Sequence, residues 1–201
     1  MAENFTVRPY SRSNALAYAR RWALSRSPLY PDYTGIGGDC TNFVSQCLLA
    51  GSCAENFTPD YGWYYLSPED RAPAWTSVEY LCDFLTGAPY FAVENGGTGP
   101  FGRLAARSEA EPGDVAQLSD REGDFYHSLI VSRVGADGEL YVCAHSNDAL
   151  DRPLSAYSFA GVRFIHVEGV RLPADYPCFP ALYDGIALPP RPEGIFPPDD
   201  W

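Results

Sequence analysis

The sequence predicts an α+β fold, with helices in its first half and an antiparallel sheet in its second. Between residues 11 and 86, apolar side chains recur at helical spacing. From Val115 to Val170 they gather instead into short β-branched and aromatic runs bounded by Gly and Asp turns. At 201 residues, with 46% hydrophobic and 14% aromatic content, the chain can fill the core of one domain and is not a disordered polymer.

Each element has its own signal. Residues 11–26 form a helix that Ser11 or Ser13 can cap, with Ala15, Leu16, Ala19, Trp22 and Ala23 as its apolar face and Pro28 as its stop. An aromatic, Gly-containing loop fills 29–38. A second helix runs from about Cys40 to Ala50, striped by Phe43, Val44, Cys47 and Leu48, with Gly51 as its C-terminal stop. Residues 54–75 form a loop dense in aromatics, and a third helix spans 75–86. The Gly- and Pro-rich stretch 87–112 reads as a long surface connection. Strands follow at Val115–Leu118, Phe125–Val134, Leu140–Ser146 and Val162–Val170, with a hairpin turn at Gly135–Gly138. The chain thus divides into a domain, residues 8–171, and a C-terminal arm, residues 172–201, which carries eight of the eighteen prolines and reads as irregular.

Charge and cysteine content narrow the functional classes. The formal charge is −12 and all fourteen basic residues are arginine, so repulsion opposes nucleic acid and anionic membranes as partners. No run approaches the roughly 18 apolar residues of a membrane span. Met1–Tyr10 lacks a basic segment followed by an apolar one, so the expected location is cytoplasmic, with secretion as the alternative. Six cysteines without any Cys-x-x-Cys exclude a zinc ribbon or thioredoxin motif. Free thiols in a reducing compartment is the simpler reading, with Cys47–Cys53 the candidate pair.

One cysteine has a physical route to reactivity. Cys40 opens a helix after Gly37, Gly38 and Asp39, where unpaired backbone N–H groups and the macrodipole favour a thiolate. Asp39 is suited to the N-cap, its carboxylate aimed at the amides of Thr41 and Asn42, and the N–H of Cys40 could donate to an oxyanion. A thiolate needs an imidazole partner. His127 heads a strand after a charged turn. His145 ends the next strand, where correct register would set it beside His127 as the orienting third member of a triad. His166, in an apolar run, reads as structural. Cys40, His127 and His145 also have the ligand types of a zinc site, but scattered ligands lack the close spacing of such sites, so neither metal nor cofactor is expected. Tyr61, Trp63, Tyr64 and Tyr65 have two readings, a sugar- or peptide-binding groove or a satellite core.

The run Gly37-Gly38-Asp39-Cys40-Thr41-Asn42-Phe43-Val44-Ser45-Gln46-Cys47-Leu48 resembles the signature of the bacterial putative amidase domain family, a branch of the papain-like cell-wall amidases and endopeptidases. Ala17–Ala23, Trp63-Tyr64-Tyr65 with Trp75, Pro112–Val115, His127–Val131, Ala144–Asp148 and Arg152–Ser155 match in order, over roughly residues 8–171. The resemblance implies a papain-like fold with the nucleophile helix packed on the sheet. It implies Cys40 as nucleophile, His127 as general base and His145 as orienter, with Asn147 the competing third residue. The implied activity is hydrolysis of an amide or peptide bond through a thiol acyl-enzyme, in a peptide, amide or glycopeptide substrate of peptidoglycan type. The competing reading is a non-catalytic peptide- or glycan-binding module on the same fold.

Overall fold

The computed structural model describes residues 6–87, 97–172 and 174–192. Twelve elements follow in order: β1 (Thr6–Arg8), α1 (Arg12–Trp22), α2 (Cys40–Ser52), α3 (Pro73–Thr76), α4 (Val78–Thr86), β2 (Gly99–Ala105), β3 (Val115–Ser119), β4 (Phe125–Val134), β5 (Leu140–Ala144), β6 (Ala149–Pro153), β7 (Gly161–Leu172) and α5 (Phe179–Asp184). The fold is α+β. The strands form a seven-stranded sheet in the order β1-β7-β3-β4-β5-β6, with β2 also on β7, and every pairing is antiparallel.

All thirteen residues of α2 are buried, which its sequence does not advertise, because the helix carries Thr41, Asn42, Ser45 and Gln46 among its apolar residues. Each finds a partner. Thr41 Oγ1 lies 3.0 Å from Ser128 Oγ, and Asn42 Oδ1 accepts from the Trp75 indole at 2.9 Å. Ser45 Oγ donates to the Trp75 carbonyl and accepts from the Trp63 indole, while Gln46 Oε1 accepts from the Tyr18 hydroxyl. A buried polar group costs about 1–3 kcal/mol when left unpaired, so these bonds are what allow α2 into the core. The aromatic block is mostly core: Trp63 and Trp75 are fully buried, Tyr64 nearly so and Tyr65 partly, while Tyr61 is exposed.

Several boundaries differ from expectation for tertiary reasons. Gly51 is inside α2, not its stop, and the helix ends at Cys53 in the left-handed region (φ 46°). A Cβ on Gly51 would meet the Tyr10 ring at 2.2 Å, so this glycine serves close packing. The expected third helix is two, α3 and α4, separated by extended Ser77. Within the stretch expected as a connection, β2 forms by pairing along β7, a case of partner edge overriding weak local propensity. Residues 88–96 of that stretch lie outside the described residues.

The arm is not wholly irregular. Residues 179–184 form α5, and Tyr176, Cys178 and Leu182 are buried in the main core. Cys178 is disulfide-bonded to Cys53 across 125 residues, which corrects the expectation of free thiols and of a Cys47–Cys53 pair. Arg191 adds a second tie, donating from Nε and Nη2 to buried Glu55 Oε2 at 2.9 and 2.6 Å. Pro173 and residues 193–201 lie outside the described residues.

Candidate active site

Cys40 is the first residue of α2, delivered by a turn in which Gly37 and Gly38 take φ of 102° and 106°. Its side chain lines a cavity of about 580 Å³, shared with Gly38, His127, Asn147, Arg152 and Tyr157 among others. The structure therefore brings Cys40, His127 and Asn147 to one cavity.

His127 lies near the start of β4 and is buried. Burial pulls its pKa down to about 4, so at neutral pH the ring is uncharged and able to accept a proton. The Tyr126 and Tyr157 rings flank it at centroid distances of 6.3 and 6.0 Å. Its Nε2 is fully buried and has no hydrogen-bond partner among the described residues. No hydrogen bond joins it to Cys40, whose sulfur lies 3.8 Å from Thr41 Oγ1. The two elements are coupled one residue further on. Thr41 meets Ser128, Gln117 donates to Ser128 at 3.1 Å, and Arg163 donates to Gln117 at 2.7 Å. This buried chain sets α2 against β4 and so holds Cys40 and His127 at one cavity wall.

His145 is not behind His127. Its Nδ1 contacts Asp39 Oδ2 at 2.6 Å and its Nε2 contacts the Trp22 carbonyl at 2.9 Å, while its ring stacks on Phe43 at 4.0 Å. Both ring nitrogens are thus occupied by oxygen partners from Asp39 and Trp22, and neither is left for His127. The reason is register. In β4–β5, Ile130 pairs with Cys143 and Val131 with Val142, so continuing the ladder sets Ser146, not His145, across from His127. A one-residue offset turns a side chain to the opposite face. The expected hydrogen bond between the two histidines is not made, and Cys40, His127 and His145 do not converge as metal ligands would.

Asp39 departs from expectation too. It makes no side-chain cap. Its carboxylate instead accepts from Tyr33 N at 3.1 Å, Asn42 Nδ2 at 2.8 Å and His145, with Arg26 Nε 3.3 Å away. Its own N–H donates to Ser146 Oγ at 2.6 Å. Asp39 thus ties the loop before α2 to the β5–β6 turn, and the Arg26 guanidinium meets its charge beside the thiol. Asn147 lines the cavity but makes no hydrogen bond to His127 among the described residues. Ser146 and Asn147 both have positive φ (62° and 134°), conformations that non-glycine residues hold only where surroundings impose them.

The remaining free cysteines sit elsewhere. Burial pushes the thiols of Cys47 and Cys143 up and that of Cys82 to about 11, leaving them little thiolate. His166 is structural as expected: its Nδ1 contacts buried Asp114, which also pairs with Arg12. Sequence reasoning did not single out Tyr157 or the Thr41–Ser128–Gln117 chain. No local signal marks them, since their roles arise only from packing between elements.

An α+β domain with a cysteine at a helix start and a neutral, buried histidine on the facing strand is the class this fold and cavity define. The chain belongs to the putative amidase domain family, whose model matches residues 9–167. It is also similar to "Uncharacterized protein YhbB" of Bacillus subtilis (strain 168), at 32% identity over 127 residues, 61% of this chain and 37% of the relative. The chain thus spans well under half the length of that relative. No solved structure matches it. Family membership points to a hydrolase-type function.

Proposed function

We propose that this protein is a cysteine-dependent hydrolase of amide or peptide bonds, on a papain-like arrangement of nucleophile helix and sheet. The observation that carries the reading is the cavity shared by Cys40, at the N-terminus of α2, and the neutral ring of His127. Cys40 Sγ attacks the substrate carbonyl carbon as His127 takes the thiol proton. The opening N–H groups of α2 face the oxyanion that forms. His127 then gives its proton to the departing amine nitrogen, and the C–N bond breaks to leave a thioester. Water, losing a proton to His127, attacks that thioester and restores the thiol as the acid leaves.

With His145 committed to Asp39, the working pair is a dyad, its imidazole held by Tyr126 and Tyr157. The expected substrates are peptides, amides or glycopeptides, including those of peptidoglycan. The Cys53–Cys178 bond supports an oxidising compartment over a reducing one. The competing binding-module reading has less support, because of its expected aromatic face Trp63 and Tyr64 are buried and Tyr61 alone is exposed.

Incubation with muropeptides and peptide amides, scored for newly released amines, tests the proposal. Cys40→Ala is expected to lose at least about a thousandfold of the activity while its melting temperature holds. Undiminished amine release by folded Cys40→Ala would sink it.

A further inference from the structure

We propose that Arg152 is a specificity residue that receives a carboxylate of the substrate, so the natural substrate is an amide bearing an acidic group near the scissile bond. The inference rests on the cysteine-hydrolase reading of the same cavity.

The cavity's charge runs against that of the molecule. The chain has 26 acidic and 14 basic residues, yet among the described residues no Asp or Glu lines this cavity, and Arg152 is its charged member beside a neutral His127. The carboxylates closest to Arg152 in sequence are engaged elsewhere. Asp148 takes both oxygens to Arg26 at 2.9 and 3.0 Å, and Asp151 pairs with Arg20 at 3.6 Å. Among the described residues Arg152 has no carboxylate partner. Its side chain is nevertheless held: the guanidinium lies 4.5 Å over the Tyr157 ring, and Nη2 donates to the Ala156 carbonyl at 3.3 Å. Asp151, immediately before it, sits at φ 48°, so the backbone bends in a conformation that non-glycine residues seldom hold. An anchored guanidinium with unspent donors in a fixed fork is suited to bidentate capture of a carboxylate.

Alkylation of Cys40 reads this directly, because iodoacetate and iodoacetamide differ in bearing a carboxylate or a neutral amide. In both, the sulfur displaces iodide to form one S–C bond. Rates at Cys40, mapped by peptide mass spectrometry, are compared between wild type, Arg152→Gln, Arg152→Lys and Arg133→Gln. Arg133 stacks on Tyr141 at the far end of β4 and controls for net charge. Arg152→Gln is expected to lower the iodoacetate-to-iodoacetamide rate ratio about fivefold, with the iodoacetamide rate unchanged within about twofold. Arg152→Lys should retain most of the ratio, Arg133→Gln all of it, and 1 M salt should erase the wild-type advantage. A ratio unmoved by Arg152→Gln, or moved equally by Arg133→Gln, overturns the Arg152 assignment while leaving the hydrolase reading standing. Failure of iodoacetamide to modify Cys40 in the wild type overturns both.

Discussion

His127 and the Asp39–His145 pair show how differently two buried histidines are treated within one fold. His127 is neutral because burial offers it no compensating charge, whereas His145 faces a carboxylate and a carbonyl. For His127 the folded-state pKa of about 4 lies below the unfolded value of about 6.5. As pH falls, the unfolded chain binds the proton first. The associated stability, up to about 3 kcal/mol, is complete above pH 6.5 and is lost as pH drops toward 4. Urea melts should show wild type losing more stability than His127→Gln across that window. Parallel curves for the two would disprove it. Asp39 and His145 should behave as a unit. Asp39→Ala and His145→Ala should each cost about 3 kcal/mol, and the double variant little more than either single, since each single leaves a buried polar partner exposed to the core. Additive losses in a double-mutant cycle would show that the pair is not coupled.

At the scale of elements, α2 is the organising piece. Its N-terminus presents Cys40, its polar residues are satisfied by indoles and hydroxyls from α1, α3 and β4, and its C-terminus leads into the disulfide. The conspicuous motif around Cys40 is therefore specific for two reasons at once. Cys40 is spent on the cavity, while Thr41, Asn42, Ser45 and Gln46 are spent on getting a fully buried helix into place. The Cys40 helix and the His127 strand were legible in the sequence because periodicity and a strand-length run mark them locally, and Phe125–Val134 is observed with those bounds. The partnership of His145 was not legible. It depends on whether β5 meets β4 in one register or the next, and no residue in either strand announces that choice. Strands β1, β2 and β6 were equally silent, being short, Gly-containing or charged segments that exist because an edge was available.

Over the whole molecule, the C-terminal arm acts as a clasp across the helical layer. The Cys53–Cys178 bond closes a loop of 125 residues, and Arg191 binds buried Glu55. Reducing the disulfide, or replacing Cys178 with Ser, is expected to cost about 3–5 kcal/mol and to lower the melting temperature by several degrees. Equal melting temperatures with and without reductant, for protein whose bond is confirmed oxidised by mass, would contradict this.

By itself the sequence determined the α+β class, the helix that carries Cys40, the strand that carries His127 and the family, because each rests on local pattern or on a contiguous motif. Tertiary structure decided which histidine shares the cavity with Cys40, which carboxylates are already paired, where the arm is fastened and that, among the described residues, Arg152 has no carboxylate partner. Those outcomes depend on strand register and on competition among charges distant in the chain, and neither is settled until the elements pack.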